Sequence, residues 1–151
     1  MRRTLRSTVL SLLFAAAAAL PALAVEPPQK CVQCGMDREK FASSRMVVDY
    51  EDGSSSGVCS VHCAAADLAK NPGKKAAGFR VADHGTLELT DARKAAWVTG
   101  GKQRGVMTGT PKWAFAKKAD AKAFLRENGG RFTTFDKALR ASKMEVEEMG
   151  R

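Results

Sequence analysis

Apolar and polar positions divide the chain into one unbroken apolar run and a series of short alternating pieces. The run, residues 9–20, follows Arg2, Arg3 and Arg6 and leads into Pro21-Ala22-Leu23-Ala24. A basic start, a short apolar centre and an A-x-A ending describe a secretory signal peptide. The run is also too short and too alanine-rich to span a bilayer. Cleavage after Ala24 leaves residues 25–151, enough for one domain or two very small ones. The expectation is therefore a protein exported to the periplasm through a cleaved signal peptide at residues 1–24, with 25–30, which hold two prolines, as a flexible lead-in.

Beyond residue 30 the pattern predicts short elements. Residues 37–44 are polar around Phe41 and read as a turn or one helical turn. Residues 45–50 and 54–58 read as two strands joined by the Asp52-Gly53 turn. Ser60 is a good N-cap for an alanine-rich helix over 61–70, stopped by Asn71-Pro72-Gly73. Residues 74–78 read as a basic loop, 79–82 as a third strand, His84-Gly85 as a turn and 87–90 as a short extended piece. The second half gives a helical turn within 91–96, an extended 97–99, a glycine-rich loop at 100–105 and a strand at 112–116. A helix over 120–128 then ends at Gly129-Gly130, followed by a strand at 131–135 and a final helix capped by Asp136 and running toward Met149. Strand, strand, helix, strand occurs twice, and both helices end in Asn plus glycine. The predicted class is α+β: a domain over 31–151 built from two small ββαβ halves, at about 31–90 and 91–151, with a C-terminal helix.

Charge changes this picture little. Without Arg2, Arg3 and Arg6 the chain keeps 22 basic and 16 acidic residues, a net of +6. The lysines are scattered, which speaks for a solvated basic surface and against nucleic-acid binding.

The cysteines change it most. All four lie in two clusters, Cys31-Val32-Gln33-Cys34-Gly35-Met36 and Cys59-Ser60-Val61-His62-Cys63. Gly35 permits a tight backbone turn around the sulfurs. Cys63 falls in the first turn of the predicted helix, where free N–H groups and the dipole lower a thiol's pKa. Three chemistries suit these residues. C-x2-C and C-x3-C separated by 24 residues fit a Zn(Cys)4 knuckle. Four cysteines in an oxidising compartment allow disulfides in three pairings. Thiolate and thioether sulfur together select Cu(I). Met36, beside Cys34-Gly35, is a thioether candidate. So is Met107, which lies in a glycine-flanked segment rather than on a periodic apolar face. His62 is either a further ligand or a polar residue at a helix start, and Met46 alternates into a strand as core. Cys31 lacks the small apolar residues that lipidation requires upstream, so no lipid anchor is expected. A redox-active C-x-x-C or a mercury-handling thiol site is the alternative from another class. No Ser-His-Asp set, paired carboxylates or phosphate loop appears, and the chain reads as a non-enzyme.

Cys34-Gly35-Met36, the later Gly105-Val106-Met107, and the stretch 121–132 with Asn128-Gly129-Gly130 resemble the NosL family. That resemblance implies an extracytoplasmic copper-binding protein whose fold is two ββαβ units related to part of organomercurial lyase. It implies a metallochaperone carrying Cu(I) on Cys34 and Met36; the residues themselves add Cys31, Cys59, Cys63, Met107 and His62 as further candidate ligands, for a Cu(I) site using two or three sulfurs. The implied partner is a copper-receiving periplasmic enzyme, with nitrous oxide reductase as the family's client. Members are typically lipoproteins, whereas this chain has no lipidation cysteine and carries extra thiols, a sulfur-richer variant.

Overall fold

A computed structural model describes residues 26–149, so the signal-peptide reading lies outside the described residues. Two antiparallel sheets carry the fold. The first uses β1 (Met46–Tyr50), β2 (Ser55–Val58), β3 (Ala76–Ala82) and β4 (Leu89–Asp91) in the order β2-β1-β3-β4. The second uses β5 (Ala96–Thr99), β6 (Lys112–Phe115) and β7 (Arg131–Thr133) in the order β6-β5-β7. In each half the first strand is therefore central, flanked by its hairpin partner and by the strand that returns after a helix. Those helices are α1 (Val61–Lys70) and α2 (Lys118–Asn128). The twice-repeated ββαβ order and the α+β class are what the hydrophobic pattern predicts.

Two cores form, the first of which also takes in Trp97 of β5 and Ala114 of β6. Met46, Val48 and Tyr50 of β1 alternate inward with Phe79 and Val81 of β3, and α1 adds Val61, Cys63 and Ala64. Burying such side chains contributes about 1.5–3 kcal/mol each. In the second half Val98, Trp113 and Phe115 meet Ala121 and Phe124 of α2. The final helix, α3 (Phe135–Met149), crosses back to the first half: Phe135 and Ala138 join the first core, and the helix packs along α1. The halves are also joined where the His84 N–H donates to the Ala114 carbonyl (2.8 Å) and the Ala116 N–H to Asp83 (2.6 Å). Backbone N–H groups of Thr86, Ala116 and Gly85 hold Asp83 below the usual carboxylate range although burial works against them.

Four local expectations are corrected. β3 begins at Ala76, inside the expected basic loop, because Tyr50 of β1 pairs with Ala76. α2 begins at Lys118 rather than at residue 120. β7 ends at Thr133 and α3 begins at Phe135, so the cap is Thr134, whose hydroxyl accepts from the Lys137 N–H at 3.3 Å, and Asp136 lies inside the first turn. Residues 26–30, expected to be a flexible lead-in, are held by Arg38. That guanidinium is fully buried, pairs with the Glu26 carboxylate, and donates to the carbonyls of Glu26 (2.7 Å), Pro28 (2.6 Å), Val58 (3.2 Å) and Met46 (3.2 Å). A buried charge of this kind is tolerated because its donors are satisfied. Gly57 makes room for it: a Cβ there would lie 2.7 Å from Arg38 Nη1 and from Pro28 Cδ.

Candidate metal centre

β2 and α1 deliver the second cysteine pair. Cys59 follows the end of β2, and the Ser60 side chain caps α1 by accepting from the Cys63 N–H at 3.4 Å, which places Cys63 in the first helical turn. The first pair lies on a loop folded against β2. The Val32 N–H donates to the Gly57 carbonyl (3.1 Å), the Cys31 N–H to the Met36 carbonyl (2.8 Å) and the Gly35 N–H to the Cys31 carbonyl (2.9 Å). The chain turns at Gly35 with φ +74°, a conformation that glycine adopts freely.

These elements bring all four sulfurs together, mutually within 4.8 Å. Cys34 lies 3.5 Å from Cys59 and 3.7 Å from Cys63, and Cys59 lies 3.6 Å from Cys63. Four thiolates around one ion at bond lengths of about 2.3 Å have sulfur–sulfur edges of about 3.8 Å. The three edges among Cys34, Cys59 and Cys63 are therefore close to those around a single soft cation. All four thiols are free; Cys31, Cys59 and Cys63 are buried and Cys34 is half-buried.

The neighbouring Cys59 and Cys63 thiols shift the Cys31 thiol below its usual range, against the opposing effect of burial. Hydrogen bonding to Cys31 and burial push Cys59 and Cys63 well above it. The expectation that the start of α1 lowers Cys63 is thus corrected. Neighbouring sulfurs and burial raise the Cys63 thiol although it lies in the first helical turn.

The remaining predicted ligands sit apart or alongside. Met36, like Cys34, packs half-buried against the first core. His62 is buried and turns to α3, its Nδ1 3.2 Å from Glu145; it is not among the clustered ligand atoms. Met107, at φ +58°, lines a cavity of about 390 Å³ with His62, Thr108, Gly109, Glu145, Glu148 and Met149, and no cysteine lines it. Glu145 also accepts from Lys112 (2.7 Å) and Thr108 (2.8 Å). Those bonds and the one to His62 hold its carboxyl below the usual range although burial works against them.

A profile of the NosL family matches residues 21–142. The chain belongs to the NosL family. The crystal structure of the copper chaperone NosL from Shewanella denitrificans superposes with a TM-score of 0.62 at 25% sequence identity, covering 76% of this chain and 92% of that one. No protein of curated function matches the chain. Family membership agrees with the C-G-M and G-V-M segments. Two residues near the NosL-type loop escaped the sequence reading. Arg38 sits in a stretch that reads only as a polar turn. Asp67, buried on α1, reads as an ordinary helix-surface acid, although its spacing of four from Cys63 places it on the same helix face.

Proposed function

We propose that this NosL-family protein is a periplasmic copper carrier that binds Cu(I) through Cys31, Cys34, Cys59 and Cys63, with Met36 alongside, and is not an enzyme. The observation that carries this reading is the convergence of four free sulfurs within 4.8 Å. Soft thiolate ligands favour Cu(I) and give hard cations a poor home. The matching fold of a copper chaperone supports the same cargo.

Hand-over follows from unequal exposure. Three sulfurs are buried and Cys34 is half-buried, so an incoming ligand meets the ion on the Cys34 side and displaces one sulfur at a time. The recipient is a copper-receiving periplasmic enzyme, with nitrous oxide reductase as the first candidate. The test loads wild-type, Cys34→Ser and Met36→Ala proteins with Cu(I) and measures competition against a Cu(I) chelator. Cys34→Ser should weaken binding by more than the about 10–100-fold that loss of an outer-shell partner costs, and Met36→Ala by less than Cys34→Ser. Wild-type affinity in both variants would end the proposal.

A second reading has its own observation. Sulfur edges of 3.5–3.7 Å are also those of a closed tetrahedral zinc site. A structural zinc would purify with the protein at one equivalent, and its removal by a chelator would unfold the domain. A copper carrier stays folded when its cargo leaves.

A further inference from the structure

The two middle residues of the C-x-x-C loop differ sharply in surroundings. Val32 is exposed, whereas Gln33 reaches across to α1, where its Nε2 donates to Asp67 Oδ1 at 2.6 Å, a contact between residues 34 positions apart. Gln33 Oε1 is buried with no hydrogen-bond partner among the described residues, so Asp67 holds the amide from one side only.

Asp67 is 2% exposed and is the hub of a small network. Its Oδ2 accepts from the Tyr50 hydroxyl at the end of β1, and Asn71 Nδ2 donates to its carbonyl (2.8 Å) and to Oδ1 (3.4 Å). Burial, and then the Asp67 carboxylate, push the Tyr50 hydroxyl above its usual range, which keeps it a donor. Every side chain that meets the carboxylate donates to it, as a buried acid requires. The carboxylate sits one helical turn beyond Cys63 and is fixed to strand and helix alike. Gln33 precedes Cys34, the sulfur on the exposed side of the cluster. Backbone hydrogen bonds tie the loop to β2 at Val32 and close its turn between Cys31 and Gly35 and Met36. The Gln33–Asp67 contact adds a side-chain tie from the residue before Cys34 to α1.

We propose that Gln33 is a positioning residue for the four-sulfur site: anchored on Asp67, it fixes Cys34 against Cys59 and Cys63 and so sets how tightly the cluster holds a soft cation. This rests on the copper reading above. Outer-shell partners that orient metal ligands are worth about 10–100-fold in affinity, and Gln33 acts on one ligand in that way.

The experiment compares Gln33→Leu, Tyr50→Phe and Cys34→Ser with wild type, using Cu(I) and a competing chelator for affinity and thermal melting of the metal-free protein for stability. Gln33→Leu should lose about 10–100-fold in Cu(I) affinity with its metal-free melting temperature near wild type. Tyr50→Phe, which strips Asp67 of a donor away from the loop, should show the opposite split: a lower melting temperature and nearly intact affinity. If Gln33→Leu binds as wild type while Cys34→Ser is weakened, the positioning role is overturned and the copper site stands. If both keep wild-type affinity, the copper reading falls and takes the positioning role with it. Equal affinity losses in Gln33→Leu and Tyr50→Phe, each matched by lost stability, would make the network purely structural and also overturn the role.

Discussion

The two ββαβ halves share a strand order and differ in what fills the junction between hairpin and helix. In the first half β2 runs into Cys59, Ser60 caps α1, and Cys63 is the third helical residue. In the second half β6 runs into Ala116, Lys117 occupies the cap position without a side-chain cap bond, and Asp120 is the third helical residue. Sulfur occupies the first junction. The second half is instead held by aromatic packing: Phe124 lies 5.2 Å from Phe115 and 6.4 Å from Trp113, ring centre to ring centre, with His84 5.0 Å away. The same backbone plan thus supports a ligand cluster in one half and a packed core in the other. The architecture supplies a junction where side chains converge, and the residues placed there decide whether it binds anything.

That contrast can be broken or sharpened by substitution. The largest effect should come from Phe124→Ala, which removes the centre of the aromatic group and costs about 3–5 kcal/mol. Denaturant unfolding should register the loss, while the folded fraction keeps its full Cu(I) capacity because all four sulfurs belong to the other half. Exchanging caps is worth less. Ser60→Ala should cost about 1 kcal/mol, and Lys117→Ser, which gives α2 the side-chain acceptor it lacks, should gain about 0.5–1 kcal/mol. Thermal melting of the pair measures the asymmetry directly.

The smallest effect is with pH. Burial lowers the pKa of His84 from its ordinary 6.5, so the folded protein holds this ring neutral where the unfolded chain would protonate it. The unfolded state binds the extra proton, so stability contributed by His84 is present above about pH 6.5 and declines as pH falls through that value. Wild type should lose stability on mild acidification relative to a His84→Phe variant. Parallel pH profiles for the two proteins would remove His84 from the account.

Legibility in the sequence followed locality. α1 is readable to the residue because its signals are adjacent: Ser60 before it, Asn71-Pro72-Gly73 after it. The four cysteines are readable because two short spacings place them. β3 is not, since Ala76-Ala77-Gly78 carry no strand signal of their own and pairing with β1 draws them in. Arg38, Gln33 and Asp67 share that obscurity. Each is a polar residue buried by partners far along the chain, and nothing in its neighbours announces the contact. The exclusion of His62 from the cysteine cluster is of the same kind: His62 is next to Cys63 in sequence, but its ring bonds to a glutamate 83 residues away.

α3 adds a constraint in time. It is the last element in the chain, yet it packs on α1, the helix that bears Cys63. Contacts of such sequence separation form slowly and only once the intervening chain exists. The first half, although its own strands and helix are complete by residue 91, therefore needs the fifteen residues of α3 before its helix is covered. Loss of α3 would therefore leave α1, which bears Cys63, uncovered.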